Sequence, residues 1–149
     1  MSEIRFYHLE RQSLEQVLPS LVGKALEKGH RLFVKTSDEA AAEALSSSLW
    51  TGNTEGFLPH GTAKDGRAAM QPVWLGVGEE NLNGADVLIL TGDVTLDDVS
   101  EYALVCEMLD GRDEQAVQAA RVRWKDYQAA GHAVTYWQQD PRGGWIKKA

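Results

Sequence analysis

Val87-Leu88-Ile89-Leu90-Thr91-Gly92-Asp93 is the stretch that decides the fold: four consecutive apolar residues, a small polar turn, then a carboxylate. An apolar run without alternation reads as a strand buried on both faces, as in a parallel sheet covered by helices on each side. Working outward, Pro72–Val77, Arg31–Lys35 and Ile4–Leu9 read as strands before it, and Tyr102–Met108 and His132–Gln138 as strands after it. Helical stripes fall between them. Leu14, Val17, Leu18, Leu21, Val22, Ala25 and Leu26 recur once per turn, with Ser13 and Gln16 spaced as a capping box and Gly29 placed to end the helix. Pro19 lies inside that stripe and predicts a kink or a later helix start. A second helix is expected from about Asp38 to Leu49, capped by Thr36 or Ser37, and a third over Asp113–Ala130, ended by Gly131. Thr95 and Asp98 fit a cap before a short helix, and Thr51–Gln71, with Gly52, Pro59, Gly61 and Gly66, reads as a long loop. Strands alternating with helices give a three-layer α/β fold with a mostly parallel central sheet and helices on both faces.

The 149 residues, 43% hydrophobic and 25% charged, suffice for one core and not two, so one domain over residues 1–149 is expected. The lone Cys106 excludes an internal disulfide and a cysteine zinc site. No apolar run approaches the roughly 20 residues needed to span a bilayer, and Met1–Glu10 lacks a signal-peptide core. A cytoplasmic chain with no membrane partner is the expectation.

The net charge of −7 is unevenly spread. Seven of the 15 bases and four of the 22 acids lie in Gly111–Ala149, a balance of +3; the remaining eight bases and eighteen acids give −10 to the preceding 110 residues. An acidic body repels a nucleic-acid backbone, and a local basic cluster on it suits a short acidic partner segment better than a duplex.

Catalytic signatures are sparse. The first strand leads into His8-Leu9-Glu10-Arg11-Gln12-Ser13, with no glycine to let a pyrophosphate approach the backbone. Gly76-Val77-Gly78 follows a strand, but Asn81 stands where the third glycine of a dinucleotide fingerprint belongs. His8, His30, His60 and His132 show no metal-pair spacing, and no Gly-x-Ser-x-Gly elbow occurs. Neither a cofactor nor a metal is expected. Asp93, just past a buried strand and close to Asp97 and Asp98, carries the alternative: a nucleotide- or metal-dependent enzyme. The competing assignment makes Asp93 a turn residue and Asp98 a carboxylate at a helix N-terminus.

Five tryptophans are a heavy load, and Trp124, Trp137 and Trp145 fall in the basic C-terminal stretch. On the third helix Val117, Ala120, Trp124 and Tyr127 follow 3–4 spacing, and Arg121, Lys125 and Gln128 follow it one position later. An apolar stripe beside a basic one can bury a ring and neutralise a carboxylate together, as a peptide ending in an aromatic residue and a free carboxylate requires. An ordinary amphipathic helix with solvated bases has the same pattern. A third reading, direct binding of single-stranded DNA, would use Trp50, Trp74 and Trp124 as stacking platforms.

Ala120-Arg121-Val122-Arg123-Trp124-Lys125-Asp126-Tyr127-Gln128-Ala129-Ala130-Gly131 resembles the C-terminal helix of the chi subunit of bacterial DNA polymerase III holoenzyme. Phe6-Tyr7-His8-Leu9, Gly29-His30-Arg31-Leu32-Phe33-Val34, and Leu49-Trp50 followed by Gly56-Phe57-Leu58-Pro59-His60-Gly61 are similar to that family in order and spacing, as are Pro72–Leu75 and Asp86–Leu90. The resemblance covers all but about the last ten residues. It implies a non-catalytic replication subunit with a Rossmann-like fold and no nucleotide-binding loop. It further implies binding to the acidic, phenylalanine-ended tail of single-stranded DNA-binding protein, and pairing with the psi subunit, which connects to the clamp loader; contact with nucleic acid would be mainly indirect. By motif, the tail site would use Arg121, Trp124 and Lys125 with Trp50 and Phe57, and Arg123 and Gln128 as auxiliaries. Two departures stand out: Val117 occupies the position of a further base, and Trp124 that of a more usual tyrosine. A tail site of lower charge is expected, helped by Arg123 or by Lys147 and Lys148.

Overall fold

The computed structural model describes residues 2–10, 12–52, 60–91, 94–96, 98–139 and 144–149, with residues 50–52 as backbone only. Among the described residues seven strands form one sheet in the order β3-β2-β4-β5-β1-β6-β7: β1 (Glu3–Leu9), β2 (Leu32–Lys35), β3 (Val73–Gly76), β4 (Val87–Thr91), β5 (Leu104–Asp110), β6 (Ala133–Gln139) and β7 (Trp145–Lys147). All neighbours run parallel except β6 and β7, which pair antiparallel with Gln138 opposite Ile146. Among the described residues three α-helices, α1 (Leu14–Glu27), α2 (Glu39–Gly52) and α3 (Glu114–Ala129), pack on it. The fold is three-layer and Rossmann-like.

Topology sets which helix goes where. The connections β1–α1–β2 and β2–α2–β3 run toward one edge, and β5–α3–β6 toward the other, so right-handed crossovers put α3 opposite α1 and α2. The two halves of the core show it. Val17, Leu18 and Val22 of α1 and Ala42, Leu45 and Leu49 of α2 pack on Tyr7, Val34, Ile89, Cys106 and Met108. On the other face Ala120 of α3, with Val117, Trp124 and Tyr127, packs on Ile4, Phe6, Val105 and Leu109. Strand β4, Val87–Thr91, is buried along its whole length and on both faces, as the apolar run Val87–Leu90 requires.

Local differences from the sequence expectations have identifiable causes. The Ser13–Gln16 capping box forms, and α1 runs unbroken through Pro19, because the cap and the buried stripe hold a turn that proline alone would open. The second helix is capped by Asp38, whose Oδ1 accepts from the amide of Ala41 at 2.7 Å, and not by Thr36 or Ser37. No helix follows Thr95 and Asp98 among the described residues: Asp98 accepts instead from the amide and hydroxyl of Ser100, closing a local turn. Strand β7 was not expected. It is three residues long, and the glycines before it gave no apolar alternation to read. Part of the Thr51–Gln71 loop, including Phe57, lies outside the described residues; its later part carries a 3-10 turn at Ala68–Met70 and a bridge from Gly61 to Trp74.

Candidate partner-docking surface

Helix α3 is held to the sheet by three devices. Asp113 caps it, accepting from the amides of Gln115 and Ala116 at 3.0 and 3.4 Å. The small buried residues Ala116 and Ala120 let it approach closely. The third device is ionic: the Glu107 carboxylate of β5, 1% exposed, accepts from Arg123 Nε at 3.0 Å and from the Tyr127 hydroxyl at 2.8 Å. Burial pushes the Glu107 carboxyl above its ordinary range, against the pull of Arg123 and Tyr127. Burial, with the charge of Glu107, likewise pushes the Tyr127 phenol up.

This anchor fixes the helix rotation. The half-buried Trp124 ring lies 5.7 Å from Phe6 and 6.2 Å from Tyr136, centroid to centroid. Arg121, Lys125 and Gln128 are exposed on the flank beside it. Neither Arg121 nor Lys125 forms an ion pair among the described residues. Arg123, expected as an auxiliary base for a partner, is turned inward onto Glu107 with its side chain only 15% exposed.

The structure adds residues that spacing did not single out. Tyr136 on β6 stands beside Trp124, its phenol raised by burial and eased down by the charge of Arg121. Its hydroxyl is 2.5 Å from His8 Nδ1, and His8 Nε2 is 2.7 Å from Glu10. On the outer side of β6, Lys148 donates its amide to the Tyr136 carbonyl at 2.7 Å, so the basic C-terminal residues run along β6. Ile146, 43% exposed, sits opposite Gln138. A strip bounded by α3 and the β6–β7 hairpin therefore combines Trp124, Tyr136 and Ile146 with Arg121, Lys125 and Lys148. The only sequence signal for Tyr136 and Ile146 was a parity match across β6 and β7, legible once their register is known.

The five residues assigned to the tail by resemblance do not all meet. Arg121, Trp124 and Lys125 share one flank of α3. Trp50 stands in the last turn of α2, on the opposite face of the sheet, and Phe57 lies outside the described residues. Asp93 and Asp97 lie outside them too. Trp74, considered as a stacking platform, is 6% exposed and packs beneath the sheet face. Among the described residues no group of three or more His, Cys, Asp or Glu is placed to hold a metal ion, and no helix is long and apolar enough to cross a membrane.

Residues 1–135 match the family described as DNA polymerase III chi subunit, HolC. A probable DNA polymerase III subunit chi from Rickettsia prowazekii (strain Madrid E) is 23% identical over 159 residues, spanning 100% of this chain and 93% of the relative.

Proposed function

The chain belongs to the DNA polymerase III chi subunit family, and from that premise we propose that it is a non-catalytic adaptor of the replication machinery. In this reading α3 and the β6–β7 hairpin receive the acidic, phenylalanine-ended tail of single-stranded DNA-binding protein. Pairing with psi then links that tail to the clamp loader. The observation that carries the reading is the pairing of two exposed bases, Arg121 and Lys125, which form no ion pair among the described residues, with the half-buried ring of Trp124 on a chain of net charge −7. A tail carboxylate meets Arg121 and Lys125, and the terminal ring packs against Trp124 and Tyr136. The buried ring supplies most of the affinity, as aromatic anchors do; the bases supply on-rate and salt sensitivity.

Val117 in place of a further base lowers the charge of the site, at a cost of about 0.2–1 kcal/mol for one exposed contact. Lys148, on the far side of Tyr136, is placed to restore part of it. Arg123 does not contribute directly, being committed to Glu107. Trp50 and Phe57 stay in the proposal as a separate contact, since the helix that carries Trp50 covers the other face of the sheet.

The test is fluorescence anisotropy of a labelled acidic peptide ending in Asp-Ile-Pro-Phe, beside the same peptide without its phenylalanine. Saturable binding that requires the phenylalanine, falls with salt and weakens several-fold in Arg121→Ala is expected. Binding unaffected by Arg121→Ala would remove α3 from the site. Trp50→Ala divides the two surfaces: unchanged affinity confines the tail to α3, and lost affinity carries it across to α2.

A further inference from the structure

The two faces of the sheet are covered unequally. Helices α1 and α2 lie side by side on one face, and every later crossover runs toward the opposite edge and so passes over the other face. On the α1 side, α1 packs on Tyr7 of β1, and no helix of the described residues lies over β6 and β7 beyond it.

A groove of about 470 Å³ opens beside α1, running from Trp137 and Trp145 to Val87 and Ile89 of β4. Its floor is aromatic: Trp145 meets Tyr7 edge-on with ring centroids 4.8 Å apart, and Trp137 lies next to them on β6. Its rim is cationic. Lys24 in the last turn of α1 and Lys28 at its C-cap are both exposed and form no ion pair among the described residues. Arg5 crosses the floor with its guanidinium 5.8 Å from the centre of the Trp137 ring. Among the described residues, Glu3, the partner of Arg5, is the one carboxylate lining the groove. On a chain of net charge −7 this is a local reversal of sign.

We propose that the groove docks an acidic amphipathic helix of a partner protein, filling the place of a third helix in that layer. The partner's apolar stripe covers Trp137 and Trp145, and carboxylates one turn apart along it face Lys24 and Lys28, with Arg5 between. Single-stranded nucleic acid shares the negative charge but stacks on free ring faces. Here Arg5 occupies the Trp137 ring and Tyr7 meets Trp145, so the geometry favours the helix. The site is on the face opposite α3 and stands whether or not the tail binds there.

The experiment puts a photoreactive phenylalanine derivative at the Lys28 position of the full chain, in its own cells, and maps the cross-linked peptide. The expected adduct is a protein segment that is acid-rich with apolar residues at helical spacing. Lys24→Glu should lower its yield at least fivefold, and changing the facing acid of that segment to lysine should restore it. Peptide-tail binding at α3 and the melting temperature should not move in Lys24→Glu, which separates this surface from the other and from a folding defect. An adduct to nucleic acid, to a second copy of this chain or to a segment without acidic helical patterning would overturn the proposal. So would the absence of any adduct from a chain that melts normally.

Discussion

Arg123 Nε lies 3.0 Å from Glu107 Oε2 beneath α3, with the carboxylate 1% exposed and the guanidinium side chain 15% exposed. One charged pair thus sets the rotation of the helix on which the exposed Arg121 and Lys125 stand. Two arginines two residues apart on α3 do different work: Arg123 holds the helix down, and Arg121 faces a partner.

Arg123→Ala should destabilise the fold by about 3 kcal/mol or more at neutral pH, because it strands a buried carboxylate. The pH dependence has a definite sign. Glu107 is raised above its ordinary value of 4.5 by burial, so the folded state holds that proton more tightly than the unfolded state. Its contribution is fully present below 4.5 and is lost as pH rises through the raised folded value. Removing Arg123 raises that value further, so the deficit of the variant should shrink as pH falls toward the ordinary carboxyl range. Adding Glu107→Gln should recover most of the loss at neutral pH and flatten the profile. Urea melts at a series of pH values read both effects; a deficit independent of pH would contradict a buried charge as its cause.

Trp124→Tyr should keep both stability and peptide affinity, since a tyrosine ring can retain the contacts that Trp124 makes with Phe6 and Tyr136 at 5.7 and 6.2 Å. Trp124→Ala should cost about 3 kcal/mol in stability, the low end of the range for truncating a core aromatic because the ring is only half-buried, and abolish measurable peptide binding. Thermal melts and anisotropy on the same preparations separate the two effects. Comparable losses in Tyr and Ala variants would mean that the indole N–H, not the ring surface, is what the site uses.

The layer order was legible because buried parallel strands and 3.6-residue stripes are local signals. Val87–Leu90 announced a strand covered on both sides, and Ser13 with Gln16 announced a helix start. On α3 the adjacency of Trp124 to Arg121 and Lys125 followed from helical spacing alone. What could not be read was which face each element reached. Arg123 counted as one more surface base until β5 placed Glu107 below it, 16 residues away in sequence. Trp50 is grouped with Trp124 by resemblance alone, and crossover handedness sends α2 and α3, which carry them, to opposite faces. Tyr136 entered through the pairing of β6 with β1 and with the residues after β7, contacts more than a hundred residues long in one direction and about twelve in the other.

Cys106 should be nearly inert in the native state. It is 5% exposed, and burial pushes its thiol up to about 12. The thiolate that attacks a disulfide reagent is then scarce at pH 8. Titration with an aromatic disulfide should find the thiol unreactive in buffer over the time in which it reacts fully in denaturant. Because Cys106 lines the groove beside α1, rapid native reaction would show that groove to open more deeply than its floor of Tyr7 and Trp145 allows.

Gly111, at the turn between β5 and α3, has no room for a side chain: a Cβ built there would stand 2.0 Å from His8 Nε2. His8 is itself fixed, with Nδ1 on the Tyr136 hydroxyl and Nε2 on Glu10. Gly111→Ala must therefore displace the imidazole and break both contacts, or move the start of α3. The expected cost is about 1–3 kcal/mol, the usual range for overpacking a filled site. The steric origin is testable by a double-mutant cycle. His8→Ala alone should destabilise by losing its two partners. Combined with Gly111→Ala, it should cost clearly less than the sum of the single changes, because the methyl then occupies the vacated space. Additive losses would place the strain in the backbone of the β5–α3 turn and not against His8. Peptide affinity in the same variants tells whether the His8–Tyr136 contact reaches the docking strip. If it does, Gly111→Ala should weaken binding through Tyr136 while Arg121 keeps its salt dependence.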